Sequence, residues 1–191
     1  DRLVILYVAR YFWVKGGLIA LETLKRIRKK YDVEVIFVSN TPEEIKEQHK
    51  ELGITFLDLM PQKKLFELYK KADIFFYPSL LDTFGFQLLE AISFGLPIIS
   101  VNTPRTTCRR DLLKDNNGII FDSEITDFYT LNEDGMKIVD RLEQNLIKVI
   151  CDTKLREKIR GNNLEEVRTG RFSIDTRNNK LEKIYNEAVK K

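Results

Sequence analysis

The chain has 191 residues, 43% of them apolar, and a net charge of +3. That is enough apolar material for one globular domain, or one domain with an appendage. The charge is too mild to predict a nucleic-acid surface, which needs a basic stripe with aromatic or groove-reading elements. No apolar run approaches the roughly 18 residues that span a bilayer, and no secretory signal is present. Cys108 and Cys151 have neither CxxC nor metal-ligand spacing. Buried, reduced thiols and a cytoplasmic location are therefore expected, with peripheral association at the inner face of the membrane left open. The start at Asp1, without Met and almost directly on a strand, reads as a piece of a longer protein.

In chain order, residues Leu3–Ala9 form an apolar strand. Arg10, the trio Tyr11-Phe12-Trp13 and Val14 make a loop. Lys15-Gly16-Gly17 then leads into a helix to about Lys30, with Leu18, Leu21, Leu24 and Ile27 on its inner face. Strand, loop, glycine and helix is the layout of an anion site. Arg10, with forked donors, and Lys15, a point charge, flank it and can neutralise a diphosphate. The aromatic trio fits either core packing at a strand end or a surface for a partner domain or acceptor.

Residues Val33–Ser39 are a second strand, nearly all apolar, as expected when both faces are covered. Thr41 as N-cap and Pro42 at the first position open a helix to about Leu52. His49 is the only histidine and sits among Glu47, Lys50 and Glu51. It is expected to be exposed and inert, which leaves no Ser/His/Asp arrangement and no His-based metal cluster. Ile54–Leu57 is a short third strand, followed by a loop with Asp58, Leu59 and Met60, a helix Gln62–Lys71, and a fourth strand Ile74–Tyr77.

The stretch 77–91 draws the most chemistry together. The strand ends in Pro78-Ser79. A loop then carries Asp82, Phe84 and Gly85, and a helix opening at about Gln87 places Glu90 further in. Ligands of open α/β sheets sit outside the carboxyl ends of the strands. A helix start offers free N–H groups and a positive dipole end. Glycine lets an oxygen approach the backbone, and a carboxylate can accept both hydrogen bonds of a ribose diol. The helix stops at Phe94-Gly95, and Leu96-Pro97 leads to a fifth strand over 98–101. Asn116-Asn117-Gly118 is a turn signal before a last short strand over 119–121. The acidic stretch 122–134 lacks EF-hand spacing and reads as a solvated insertion. From about Gly135 the pattern is helical to the end. Breaks are expected near Asp152-Thr153, at Gly161-Asn162-Asn163 and at Thr169-Gly170. Ser173 is expected to cap a last helix with an apolar stripe of Leu181, Ile184, Tyr185 and Ala188. Of the cations at 105, 109 and 110, water is the expected surrounding. Strands alternating with helices predict an α/β fold: a Rossmann-like, doubly wound parallel sheet of about six strands, helices on both faces, and a helical tail over about 135–191.

Asp82-x7-Glu90 with Phe84-Gly85 inside resembles the E-x7-E signature of retaining glycosyltransferases of the GT-B fold, most closely glycosyltransferase family 4, the "glycosyl transferases group 1". Arg10 and Lys15-Gly16 are similar to the family's R-x4-K-G element. Glu90-Ala91 with Gly95-Leu96-Pro97 resembles its E-A-x-x-x-G-x-P, and Phe172-Ser173 with Tyr185 its final helix. Departures are Asp82 for the usual Glu, Ser39-Asn40 and Asp58 where glycines are common, and 103–107 where small residues and glycine are usual. The resemblance implies the C-terminal, donor-binding half of a two-domain enzyme, with the N-terminal acceptor half absent from this sequence. Such an enzyme moves a sugar from a nucleotide diphosphate sugar to an acceptor saccharide, lipid or protein, with configuration retained and without a metal or other cofactor.

Carried over residue by residue, the resemblance gives catalytic roles to Arg10, Lys15 and Asp82. It puts Gly16, Met60, Phe84, Gly85, Phe86, Gln87, Leu88 and Glu90 on the nucleotide sugar, with Glu90 at the ribose and Met60 near the base. The piece alone is expected to bind donor without transferring it. Two other readings stay open. One is a nucleotide-binding module that has lost catalysis and acts with a partner. The other is another enzyme on this fold, such as a phosphorylase, which needs a pyridoxal phosphate lysine, or a sugar-nucleotide epimerase.

Overall fold

The computed structural model describes residues 2–114, 116–125, 127 and 129–189. Six strands, β1 (Leu3–Ala9), β2 (Val33–Ser39), β3 (Ile54–Leu57), β4 (Ile74–Tyr77), β5 (Ile98–Asn102) and β6 (Gly118–Asp122), form one parallel sheet in the order β3-β2-β1-β4-β5-β6. The helices between them are α1 (Gly17–Lys30), α2 (Glu43–Gln48), α3 (Gln62–Lys71), α4 (Phe86–Ser93) and α5 (Arg109–Leu112). Three more follow: α6 (Glu133–Cys151), α7 (Thr153–Arg168) and α8 (Ile174–Val189). This is the doubly wound α/β architecture that alternating strands and helices predict.

The strands read as apolar runs because the sheet is covered on both faces. All four residues of β4 are buried, as are six of the seven in β1. From β1 the chain winds outward through β2 to β3, then returns to lay β4 on the other side of β1. The order reverses between β1 and β4, and their carboxyl ends diverge into a crevice there. That topology, more than any single residue, decides which loops meet. Helix α6 lies beside α1 and against β5, and α7 packs on α4.

Several local expectations are corrected. Pro42, not Thr41, occupies the position before α2: its extended carbonyl accepts from the Ile45 and Lys46 amides, while the Thr41 hydroxyl is buried without a hydrogen-bond partner among the described residues. Helix α2 stops at Gln48 and a 3-10 turn, Lys50–Leu52, completes the segment. His49 is half-buried, its Nδ1–H donating to the Ile45 carbonyl at 2.8 Å. Helix α7 runs straight through Gly161-Asn162-Asn163. A glycine there costs about 1 kcal/mol, but buried Asn163 ties the helix to the sheet. It donates to the Leu96 carbonyl at 2.8 Å and accepts from the Asn117 amide at 2.7 Å, and such tertiary bonds override propensity.

Neither cysteine is buried: Cys108 is half-exposed, Cys151 exposed, and both are free. Helix α6 starts at Glu133, capped by Asn132, whose side chain accepts from the Gly135 amide. Ser173 does accept from the Thr176 amide at the start of α8, and none of α8's residues is buried. Thr126 and Phe128 of the acidic insertion, and the last two residues of the tail, lie outside the described residues. No helix among the described residues is long and apolar enough to cross a membrane.

Candidate functional site

The crevice between β1 and β4 is built by one close approach. Gly16, just before α1, has φ +72°, and a Cβ there would lie 2.2 Å from the Pro78 carbonyl oxygen. Only glycine meets both demands. The β1–α1 turn thus sits directly on the end of β4, and the Leu81 amide donates to the Val14 carbonyl at 3.1 Å. Seated this way, Lys15 points into the β4–α4 loop. Its Nζ donates to the Leu81 carbonyl at 2.8 Å and stands 3.1 Å from Asp82 Oδ1.

Asp82 is only 8% exposed. Its Oδ2 accepts from the Tyr77 hydroxyl at 2.9 Å and faces Arg109 Nη2 at 3.5 Å. Burial, and next the Asp82 charge, push the Tyr77 phenol well up. Arg109 corrects an expectation: it is 2% exposed rather than in water. The one-turn helix α5 aims its first residue across the ends of β4 and β5, where the guanidinium donates to the Ser79 carbonyl at 2.7 Å and to the Val101 carbonyl. Its centre lies 5.3 Å from the Tyr77 ring. Burial lowers the Arg109 pKa, with Tyr77 and Asp82 opposing; arginine keeps its charge in such surroundings. Arg110 instead pairs with Asp122 at 2.6 Å, and Arg105 is exposed. The segment 103–106 also grips the loop: Thr103 Oγ1 donates to the Leu80 carbonyl at 2.7 Å, and the Asp82 amide to the Arg105 carbonyl at 3.0 Å.

Helix α4 begins after Gly85, at φ +85°, without a side-chain cap. Its first amides therefore have no partner within the helix and face outward. A Cβ on Gly85 would lie 3.1 Å from Asp82 Oδ2, so the glycine lets the acid and the helix start share one place. Phe84 and Phe86 are exposed on either side, ring centroids 4.8 Å apart. Gln87 is half-exposed, whereas Leu88 turns inward, fully buried, its amide donating to the Gly85 carbonyl. Half-buried Glu90 accepts from Gln62 and from the Tyr69 hydroxyl, each at 3.0 Å. Burial, then Glu90, raises the Tyr69 phenol well above its ordinary value.

Met60 is partly buried against the core, while Leu59 and Lys64 are exposed. Arg10, directly after β1, is exposed, its guanidinium 5.7 Å from the Tyr11 ring. The aromatic trio divides by burial. Phe12 is core. Tyr11 and Trp13 are exposed and, with Val14, Asn40 and Tyr129, line a cleft of about 230 Å³.

The structure thus brings Lys15, Gly16, Asp82 and Gly85 into one contact group, with Glu90 along the same helix. It adds Tyr77, Arg109, Tyr69 and Gln62, which spacing alone does not single out. Tyr77 lies at the end of β4, five residues from Asp82, whereas Arg109 of α5 and Gln62 and Tyr69 of α3 reach the acids from distant parts of the chain. Chemically the crevice offers a lysine, a buried second cation, free helix-start amides and a half-exposed acid. That set suits an anion joined to a polyol. Among the described residues no three His, Cys, Asp or Glu side chains gather as a metal site.

A family profile described as "Glycosyl transferases group 1" matches residues 1–165. Among curated proteins, the uncharacterized glycosyltransferase MJ1607 of Methanocaldococcus jannaschii is 26% identical over 105 residues, covering 52% of this chain and 27% of its own. Among solved structures, a glycosyltransferase from Rickettsia africae superposes with a TM-score of 0.74 at 21% identity, covering all of this chain and 48% of its own. Anabaena Alr3699/HepE, solved in complex with UDP-glucose, gives 0.69 at 20% identity, covering 98% and 49%. The chain spans about a quarter of the curated relative and about half of these solved ones.

Proposed function

Because the chain belongs to the glycosyl transferases group 1 family, and has the fold of one half of a GT-B glycosyltransferase, we propose that it binds a nucleotide diphosphate sugar in the β1/β4 crevice. In this reading it donates the sugar, with configuration retained, to an acceptor held by a second domain. The observation that carries the proposal is the convergence of Lys15 and the free start of α4 on one loop, with Asp82 between them at 3.1 Å from Lys15. The UDP-glucose complex of the Anabaena relative supports the donor class.

The physical logic is charge placement. As the bond to the sugar breaks, negative charge grows on the leaving diphosphate, and preorganised positive groups stabilise it most when water is excluded. Lys15 supplies a movable charge, Arg10 a forked donor at the mouth, and the amides of Phe86 and Gln87 a fixed dipole end. These groups do the work of a metal ion, so the proposed reaction is metal-independent. Glu90, braced by Gln62 and Tyr69, takes the ribose. Met60 lies on the base side, and Phe84 and Gly85 border the sugar. The enclosing protein is proposed to be cytoplasmic, meeting the inner face of the membrane where its acceptor is a lipid.

A second reading, a nucleotide-binding module without transfer, is favoured by one observation: both Asp82 oxygens are already engaged internally. The two separate on the whole protein, supplied with UDP-, GDP- and ADP-sugars and followed by proton NMR of the anomeric signal. Transfer with retained configuration supports the enzyme. Tight nucleotide binding with no product, whatever the acceptor, supports the module.

A further inference from the structure

Resting on the donor-binding reading above, we propose that Arg109 is a positioning residue of the site: it keeps the Asp82 carboxylate compensated while Lys15 moves off it onto the donor diphosphate. Asp82 has two cations against it, Lys15 at 3.1 Å and Arg109 at 3.5 Å, and a neutral donor, Tyr77, at 2.9 Å.

The two cations are not equivalent. Lys15 has a flexible stem on the open β1–α1 turn, with its side chain 12% exposed, whereas the Arg109 side chain is 1% exposed and anchored on the Ser79 and Val101 carbonyls. Only Lys15 can swing toward a ligand. If it alone balanced Asp82, each binding event would strand a buried carboxylate, which is strongly unfavourable. Arg109 removes that penalty, because its charge stays behind when Lys15 leaves.

Stability does not account for the arrangement. Buried ion clusters are weak stabilisers compared with well-packed apolar groups, and Arg109 Nε is buried with no hydrogen-bond partner among the described residues. The network leaves one positive charge in excess over Asp82, which fits a loop made ready for an anion. Beside this contact two departures from the family pattern also meet, since the amide of the shortened acid donates to the Arg105 carbonyl of the altered 103–107 segment.

The test is a double-mutant cycle read by calorimetry, using whichever of UDP, GDP and ADP binds the unaltered chain most tightly. The sugar-free ligand keeps any contact between Asp82 and sugar out of the measurement. Arg109→Gln retains hydrogen-bonding capacity without charge. With Asp82 present it should weaken binding by about tenfold or more, and in the Asp82→Asn background, where no carboxylate needs compensating, by no more than about threefold. Arg109→Lys should recover most of the affinity. A merely structural role for Arg109 predicts the same factor in both backgrounds, and that result would overturn the inference while leaving the donor reading intact. If none of the three nucleotides binds the unaltered chain, the donor reading fails and this inference with it. Should Arg109→Gln not fold, Arg109→Lys decides: affinity within about threefold of the unaltered chain supports the proposal, and a tenfold loss overturns it.

Discussion

Asp82 and Glu143 carry the same retinue, one lysine and one arginine each, and their surroundings make them different objects. Glu143 on α6 accepts from Lys30 at 2.7 Å and from Arg26 at 3.2 Å, tying α6 to α1. The Glu143 carboxylate is as buried as that of Asp82, but its cations are wet, with Lys30 57% and Arg26 27% exposed. Asp82 gathers Lys15 and Arg109 at the sheet's carboxyl edge, where Arg109 is out of water altogether. Pairs whose cations stand in water are screened and contribute little. Buried ones carry a desolvation cost that their attraction hardly repays. A fold needing only glue would use the first kind, so the second kind marks the place where charge itself is wanted.

The largest break in that comparison should come from removing each acid. Asp82→Ala leaves two cations without their anion in a buried site and should cost about 3–5 kcal/mol. Glu143→Ala should cost about 1 kcal/mol or less. Urea unfolding of both variants checks this, and equal losses would erase the distinction drawn here. Next in size is Gly16→Ala. A positive φ costs about 1–3 kcal/mol in a residue with a Cβ, and the Pro78 carbonyl blocks that Cβ as well. The variant should lower both stability and nucleotide affinity, since the turn that carries Lys15 must lift off β4. Loss of stability with affinity unchanged would show that the seating of the turn does not matter to the site.

The smallest effect is a pH dependence. Burial alone would raise the Glu143 carboxyl, but its bonds to Lys30 and Arg26 outweigh that and hold it below the ordinary range. A carboxyl depressed in the folded state adds stability above its unfolded value of about 4.3, lost as pH falls through the folded value. The stability gap between the unaltered chain and Glu143→Gln should therefore be present at neutral pH and narrow below about pH 4. A gap that holds its size down to pH 3 would contradict the sign.

How much was legible in the sequence follows the range of the forces involved. The strands announce themselves because a sheet covered on both faces needs unbroken apolar runs, and the six-stranded, doubly wound sheet follows from their alternation with helices. Lys15, Gly16, Asp82 and Gly85 stand out for a related local reason: strand, loop, glycine and helix is the layout of an anion site. Distant pairings leave no such trace. Arg109 and Arg110 look alike in the chain, yet one lies under the sheet's edge and the other pairs with Asp122 outside. Asn163 reads as a helix breaker until Leu96 and Asn117 are seen beside it. Thr41 has every quality of a cap and loses the position to Pro42, whose carbonyl opens α2.

The proposed contact of Lys15 with the diphosphate of an activated sugar is tested most directly by calorimetry with a nucleoside diphosphate. Charge-assisted contacts contribute about 1.5–3 kcal/mol each. Lys15→Ala should therefore bind about tenfold to a hundredfold more weakly than the unaltered chain while still melting cooperatively. The same affinity in both would take Lys15, and with it this account of the crevice, out of donor binding.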